Sequence, residues 1–185
     1  DQPPSIISIS PEFDSLQVLS VLKLDTIQIK FNKPILTFSL DLVSTQDTAI
    51  NYTLVAQDSG MVIALQDTLS SFETVSVFLD TALAFNLLNL SDTLLFRSEF
   101  WGDLDSNYQL EVEDVLLFNQ RWPEGTDLGP VDGSVPYLRP MPDGEADLKD
   151  LAAFGKMWIW YYQDYIADSF LYAVRILPNQ LKGIV

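Results

Sequence analysis

The chain has 185 residues, 48% of them hydrophobic, so it can bury a real core as one large or two small domains. Ten Lys plus Arg against 26 Asp plus Glu leave a formal charge of -16, which repels phosphate backbones and anionic membranes, so no nucleic-acid partner and no membrane insertion are expected. With no Cys and no His there is no disulfide framework, thiol nucleophile, His-based triad or usual zinc ligand set, and the commonest general base near neutral pH is missing.

The start, Asp1-Gln-Pro-Pro4, has neither the basic region nor the apolar core of a signal peptide, and no transmembrane run is visible. The chain reads as a mature segment or a fragment of something longer. From there to about residue 100 it reads as strands. Ile6 to Ser10 is a short apolar run after a double Pro. Thr26 to Asn32 alternates with period two, which puts Ile27, Ile29 and Phe31 on one face. Ile35 to Val43, Ile50 to Ala56, Met61 to Leu65 and Thr74 to Leu79 continue the pattern, with Asp58-Ser-Gly60 as a turn signal. Ala82 to Leu90 reads either as a helix turn or as a crossover, and Asp92 to Phe100 as the last strand. Short strands at this spacing predict a β-sandwich.

Residues 101–164 hold two units that match at an offset of 36 residues. The first is Asp103-Leu-Asp-Ser-Asn107-Tyr-Gln-Leu-Glu-Val-Glu-Asp114, followed by Val115, Phe118 and Trp122. The second ends in Asp143-Gly-Glu-Ala-Asp147-Leu-Lys-Asp150, followed by Leu151, Phe154 and Trp158. An EF-hand loop places oxygen ligands at positions one, three, five, seven, nine and twelve, and hard cations favour that spacing. The first unit supplies Asp103, Asp105, Asn107, Gln109, Glu111 and Asp114 there. Leu110 is the apolar anchor at position eight, and Tyr108 stands at position six, where Gly normally permits the sharp turn. A Tyr there must turn left-handed or shift the loop, at about 1 kcal/mol.

In the second unit Asp143, Glu145, Asp147 and Asp150 match positions five, seven, nine and twelve, with Gly144 at six. The same count puts Arg139 at position one and Met141 at position three, neither of them a ligand. Either this loop is empty or the entering chain reaches the ion differently, with Asp127 and Asp132 as spare carboxylates. Between the units, Pro123 to Pro142 is a linker of turns. One calcium ion is expected at the first loop, with the second left open. Acidic residues before a helix also act as plain N-caps without any metal.

Val115, Phe118 and Trp122, like Leu151, Phe154 and Trp158, lie at helical spacing and predict two core faces packed on each other. Trp158-Ile-Trp-Tyr-Tyr162 is too aromatic for one face and predicts packing against the sandwich or a partner. Ser169 to Pro178 is apolar and β-prone, and either pairs with the sandwich or opens a further domain. Asn51-Tyr-Thr53 and Asn89-Leu-Ser91 match glycosylation acceptors, a frequent accidental match.

Two resemblances follow. Pro3-Pro4-Ser-Ile-Ile-Ser-Ile-Ser-Pro11 and Ile27-Gln-Ile-Lys-Phe-Asn-Lys-Pro34 resemble the bacterial Ig-like domains of surface proteins, over residues 3–98. Gly102 to Val115 and Pro142 to Phe154, with Asp at position twelve, resemble dockerin domains, over residues 101–162. The fold class expected is mainly β plus α: residues 1–100 an Ig-like β-sandwich, 101–164 a dockerin-like double EF-hand unit, and 165–185 a C-terminal β-prone segment. The dockerin resemblance implies a cohesin-like protein partner and recognition residues at Val112, Glu113, Gln120 and Arg121, and at Leu148, Lys149, Lys156 and Met157. The function expected is non-catalytic: a secreted or cell-surface, bacterial, calcium-binding attachment module. The alternative is a structural subunit of a surface layer, filament or adhesive fibre with calcium as a clamp, and a carbohydrate-binding or hydrolytic module ranks behind both.

Overall fold

A computed structural model describes residues 2–11, 19–46, 50–122 and 127–167. The segment 169–178 lies outside them. The chain separates into two compact units, Asp1–Phe100 with Ser106–Tyr108, and Trp101–Asp105 with Gln109–Val185.

The first unit holds two antiparallel sheets. One has the order β1-β2-β5-β4, formed by β1 (Ile6–Ser10), β2 (Thr26–Phe31), β4 (Tyr52–Gln57) and β5 (Gly60–Leu65). The other has the order β3-β6-β7, formed by β3 (Ile35–Ser44), β6 (Thr74–Ala84) and β7 (Asn89–Arg97). Period two decides what is buried. Ile27, Ile29 and Phe31 turn inward from β2, Met61, Ile63 and Leu65 from β5, and Val75, Val77 and Leu79 from β6. Two antiparallel sheets with buried inner residues are consistent with an Ig-like β-sandwich.

β5 follows β4 through the two-residue turn Asp58-Ser59. Gly60 opens β5 because a Cβ there would lie 2.6 Å from the Ile29 carbonyl oxygen of the neighbouring strand. Gly60→Ala therefore forces β2 and β5 apart, and a loss of about 1–3 kcal/mol is expected in urea unfolding followed by far-UV circular dichroism.

Ala82 to Leu90 is neither helix turn nor crossover. β6 continues through Ala84, and Phe85 to Leu88 turns the chain into β7. Leu87 takes φ 64°, and the Asn86 side chain accepts from the Leu88 N–H at 3.2 Å. An Asx-type turn replaces the glycine that such a corner usually needs.

The second unit holds α1 (Val112–Arg121), the two-residue strands β8 (Val131–Asp132) and β9 (Arg139–Pro140), and α2 (Leu148–Trp160), which passes into a π-helical segment at Tyr161–Tyr165. Phe118 and Phe154 meet at 5.1 Å between ring centroids, so the two helices do pack through the matched aromatics. The rest of the expected core face is displaced. Val115 and Leu151 are exposed at 38% and 48%, while Asp114, Ala153 and Met157 are buried. The buried stripe is set by the Asp that opens each helix.

The rings of Phe154, Trp158 and Tyr162 continue as a ladder, with centroids 5.8 and 4.9 Å apart, and the Tyr162 hydroxyl donates to the Leu110 carbonyl at 2.9 Å. Much of the Trp158 to Tyr162 cluster is thus used inside its own unit. No described helix is long and apolar enough to cross a membrane.

Candidate metal centre

The first loop runs from Asp103 into α1. Asp114 is fully buried at the third position of the helix, and its two oxygens are aimed back at the loop. Oδ1 accepts from the Leu104 N–H at 2.6 Å and the Asp105 N–H at 3.4 Å, and Oδ2 accepts from the Glu111 N–H at 2.9 Å. Glu111 and Asp114 form a capping box, so the helix start fixes the carboxylate. Ligand oxygens of Asp103, Asp105 and Asp114 all lie within 4.8 Å of one another. Of the three, Asp103 is half-buried and Asp105 exposed.

Ser106–Tyr108, which include the expected ligand Asn107, group with the first unit. Tyr108 takes φ 66°, the left-handed turn that position six demands. Its ring lies 5.9 Å from Phe72 and 5.8 Å from Phe100, and its hydroxyl donates to the Ser98 carbonyl at 2.8 Å. These contacts offset the strain that a Gly would have avoided. Of the remaining expected ligands, Gln109 is exposed and Glu111 half-buried.

The second loop repeats this wiring with an insertion. Asp150 is fully buried; its Oδ1 accepts from the Leu128 and Gly129 N–H groups, both at 2.7 Å, and its Oδ2 from the Asp147 N–H at 2.5 Å. Leu128 and Gly129 therefore stand where Leu104 and Asp105 stand, and Asp127 takes the place of Asp103. Asp127 and Asp150 are 23 residues apart and Asp103 and Asp114 are 11 apart, so the second loop is 12 residues longer. The excess is the hairpin 130–141, which pairs β8 with β9 and is closed by the Met141 N–H on the Pro130 carbonyl at 2.8 Å.

Arg139 and Met141 belong to that excursion, so positions one and three pass to Asp127 and Gly129. Asp127 accepts from the N–H groups of Asp143, at 3.2 Å, and Gly144, at 2.7 Å. Gly144 at position six takes φ 84°. Asp132 is turned to its own hairpin, accepting from the Gly133 N–H at 2.8 Å.

Gly129 leaves position three without a ligand. A Cβ there would lie 2.9 Å from the Lys149 carbonyl oxygen. Lys149 also brings a cation of its own, with Nζ 2.6 Å from Asp143 and 3.3 Å from Asp147. Its hydrogen bond, followed by one from the Glu145 N–H, holds the Asp143 carboxyl below the usual carboxylate range. Asp143, Glu145, Asp147 and Asp150 do not form a second carboxylate group of the first loop's kind among the described residues.

The expected recognition residues divide by exposure. Val112 and Leu148 are exposed at 58% and 77%, and Glu113, Gln120 and Lys156 are exposed as well. Arg121 donates to the Leu104 carbonyl at 3.3 Å, beside the first loop. Met157 is fully buried and faces the core, which removes it from an accessible surface. The sequence reading missed the apolar Leu116 and Ile159, exposed at 53% and 55%, although Leu116 lies one turn after Val112.

No family model matches this chain, and no curated protein matches it. Solved structures resemble about half of it, three of them as follows. CopC from Methylosinus trichosporium OB3b does so at TM-score 0.40 and 9% identity, covering 52% of this chain and 93% of that one. The N-terminal part of the bacterial S-layer protein SbsC does so at TM-score 0.38 and 14% identity, covering 53% of this chain and 24% of that one. The Lin-41 filamin domain does so at TM-score 0.34 and 10% identity, covering 52% of this chain and 91% of that one.

Proposed function

We propose that the chain is a non-catalytic, secreted or cell-surface module that binds calcium in the loop Asp103 to Asp114 and attaches to a protein partner through its helices, in the manner of a dockerin. The observation that carries this reading is the convergence of Asp103, Asp105 and Asp114 within 4.8 Å. At an effective dielectric constant of about 20, two like charges that close repel by roughly 3 kcal/mol, and a divalent ion turns that cost into attraction. An all-oxygen donor set suits a hard cation. Asp103 and Asp105 would be the first ligands, with Asp114 oriented by the N–H groups that already hold it. The second loop, with Asp127 at its head, Gly129 at position three and Lys149 on two of its carboxylates, would bind the ion more weakly.

The partner surface would be the apolar stripe that the repeat places at equivalent positions of both helices, Val112 with Leu148 and Val115 with Leu151. Terbium tests the metal reading directly. Bound in the first loop it should be sensitised on excitation of the chain's aromatic residues, displaced by calcium, and dark in Asp105→Ala. Terbium emission that survives Asp105→Ala unchanged would place the ion elsewhere.

A further inference from the structure

In the calcium-free chain the carboxylates of Asp103, Asp105 and Asp114 lie within 4.8 Å of one another, and their mutual repulsion works to open the loop. The N–H groups held by Asp114 secure its two ends. The middle of the loop is secured differently, through position six.

Among the described residues, four other than glycine take a left-handed backbone, and three of them are Phe72 at φ 61°, Ser106 at φ 63° and Tyr108 at φ 66°. Ser106 and Tyr108 are positions four and six of the loop, and Phe72 is the ring on which Tyr108 stacks, with the planes 25° apart. Bulky residues keep such a backbone only where surrounding contacts hold it. Tyr108 has contacts of that kind. Phe72 and Phe100 stand 5.2 Å apart and complete a three-ring cluster with it. The Arg97 guanidinium carbon lies 5.4 Å from the centroid of its ring, a cation–π contact. The Tyr108 hydroxyl donates to the carbonyl of Ser98, a fully buried residue whose Oγ accepts from the Glu73 N–H at 2.7 Å, so the acceptor is itself held in place. Phe72, Arg97, Ser98, Phe100 and Tyr108 all belong to the first unit, and the three carboxylates belong to the second.

We infer that Tyr108 is a positioning residue of the metal loop: seated among Phe72, Phe100 and Ser98, it holds the turn at position six before the ion arrives and so raises calcium affinity. This rests on the calcium reading above. A loop that reaches its binding shape only part of the time binds in proportion to that fraction. The aromatic seat keeps the fraction high, whereas a glycine at position six would permit the turn without anchoring it. The linkage is reciprocal, so bound calcium in turn holds Tyr108 in its seat.

Calorimetric titration of calcium into the chelated full chain tests it with two substitutions that suit the local left-handed backbone and remove only a ring, Tyr108→Gly and Phe72→Gly. Phe72 lies outside the loop and brings no carboxylate. Each change should weaken calcium binding roughly fivefold to tenfold. Tyr108→Phe keeps the stack and should bind more tightly than Tyr108→Gly. The double variant should bind no more weakly than Tyr108→Gly alone, because both changes remove the same stack. The tryptophan fluorescence melt in chelator, which follows the second unit, should keep its wild-type midpoint in Phe72→Gly. Calcium affinity at or above the wild-type value in either glycine variant, losses that multiply in the double variant, or a lowered metal-free midpoint in Phe72→Gly would overturn the inference and leave the calcium reading standing. A wild-type chain that binds no calcium would overturn that reading and this inference with it.

Discussion

Asp150→Ala is expected to unfold the second unit under conditions where the wild type is folded. The Asp150 carboxylate accepts three backbone N–H groups, from Leu128, Gly129 and Asp147, and is fully buried. Truncation leaves all three donors without it. An unsatisfied buried donor costs about 1–3 kcal/mol, so the loss is on the order of 4 kcal/mol or more. A whole domain is typically stable by only about 5–15 kcal/mol, so one substitution removes most of what holds a small unit together. All four tryptophans (Trp101, Trp122, Trp158 and Trp160) belong to this unit, so their fluorescence follows its unfolding in urea. Asp150→Asn keeps one acceptor oxygen and should fall between wild type and Ala. Asp143→Ala, at an exposed carboxylate, should move the midpoint little.

Calcium should raise the same fluorescence midpoint. A ligand that binds only the folded state stabilises it by about 2.7 kcal/mol at a hundredfold excess over its dissociation constant. Asp103→Ala should erase most of that difference between calcium and chelator, because it removes one of three converging carboxylates. Arg121→Ala should leave the difference largely intact, since its guanidinium meets a carbonyl and not the carboxylate group. Equal midpoints in calcium and in excess chelator would count heavily against the metal reading. The comparison within each variant separates loss of the ion from loss of structure.

These two expectations rest on different amounts of sequence information. Alternation found the strands of the first unit because their inner residues are apolar and their outer ones polar, as in Ile27, Ile29 and Phe31. It failed from Ala82 to Leu90, where small and apolar residues give no period and the corner carries Leu87 where a glycine would be expected. Asn86 was the readable signal there.

The carboxylate group Asp103, Asp105 and Asp114 was legible because its three members fall within one unbroken stretch of twelve residues. The head of the second loop was hidden by the hairpin 130–141, which shifts a fixed count onto Arg139. The repeated Asp-Leu pairs, Asp103-Leu104 and Asp127-Leu128, marked the true register. Helical spacing found the Phe118–Phe154 contact but set the core stripe one residue off. An Asp reads as a surface residue until three backbone donors are seen to point at it.

Calorimetric titration of calcium into the chelated chain tests the central claim most directly. Saturable binding is expected, with the tightest ion lost in Asp103→Ala and in Asp105→Ala and retained in Asp143→Ala. Absence of binding heat at millimolar calcium, or a tight site untouched by either of the first two substitutions, would contradict it.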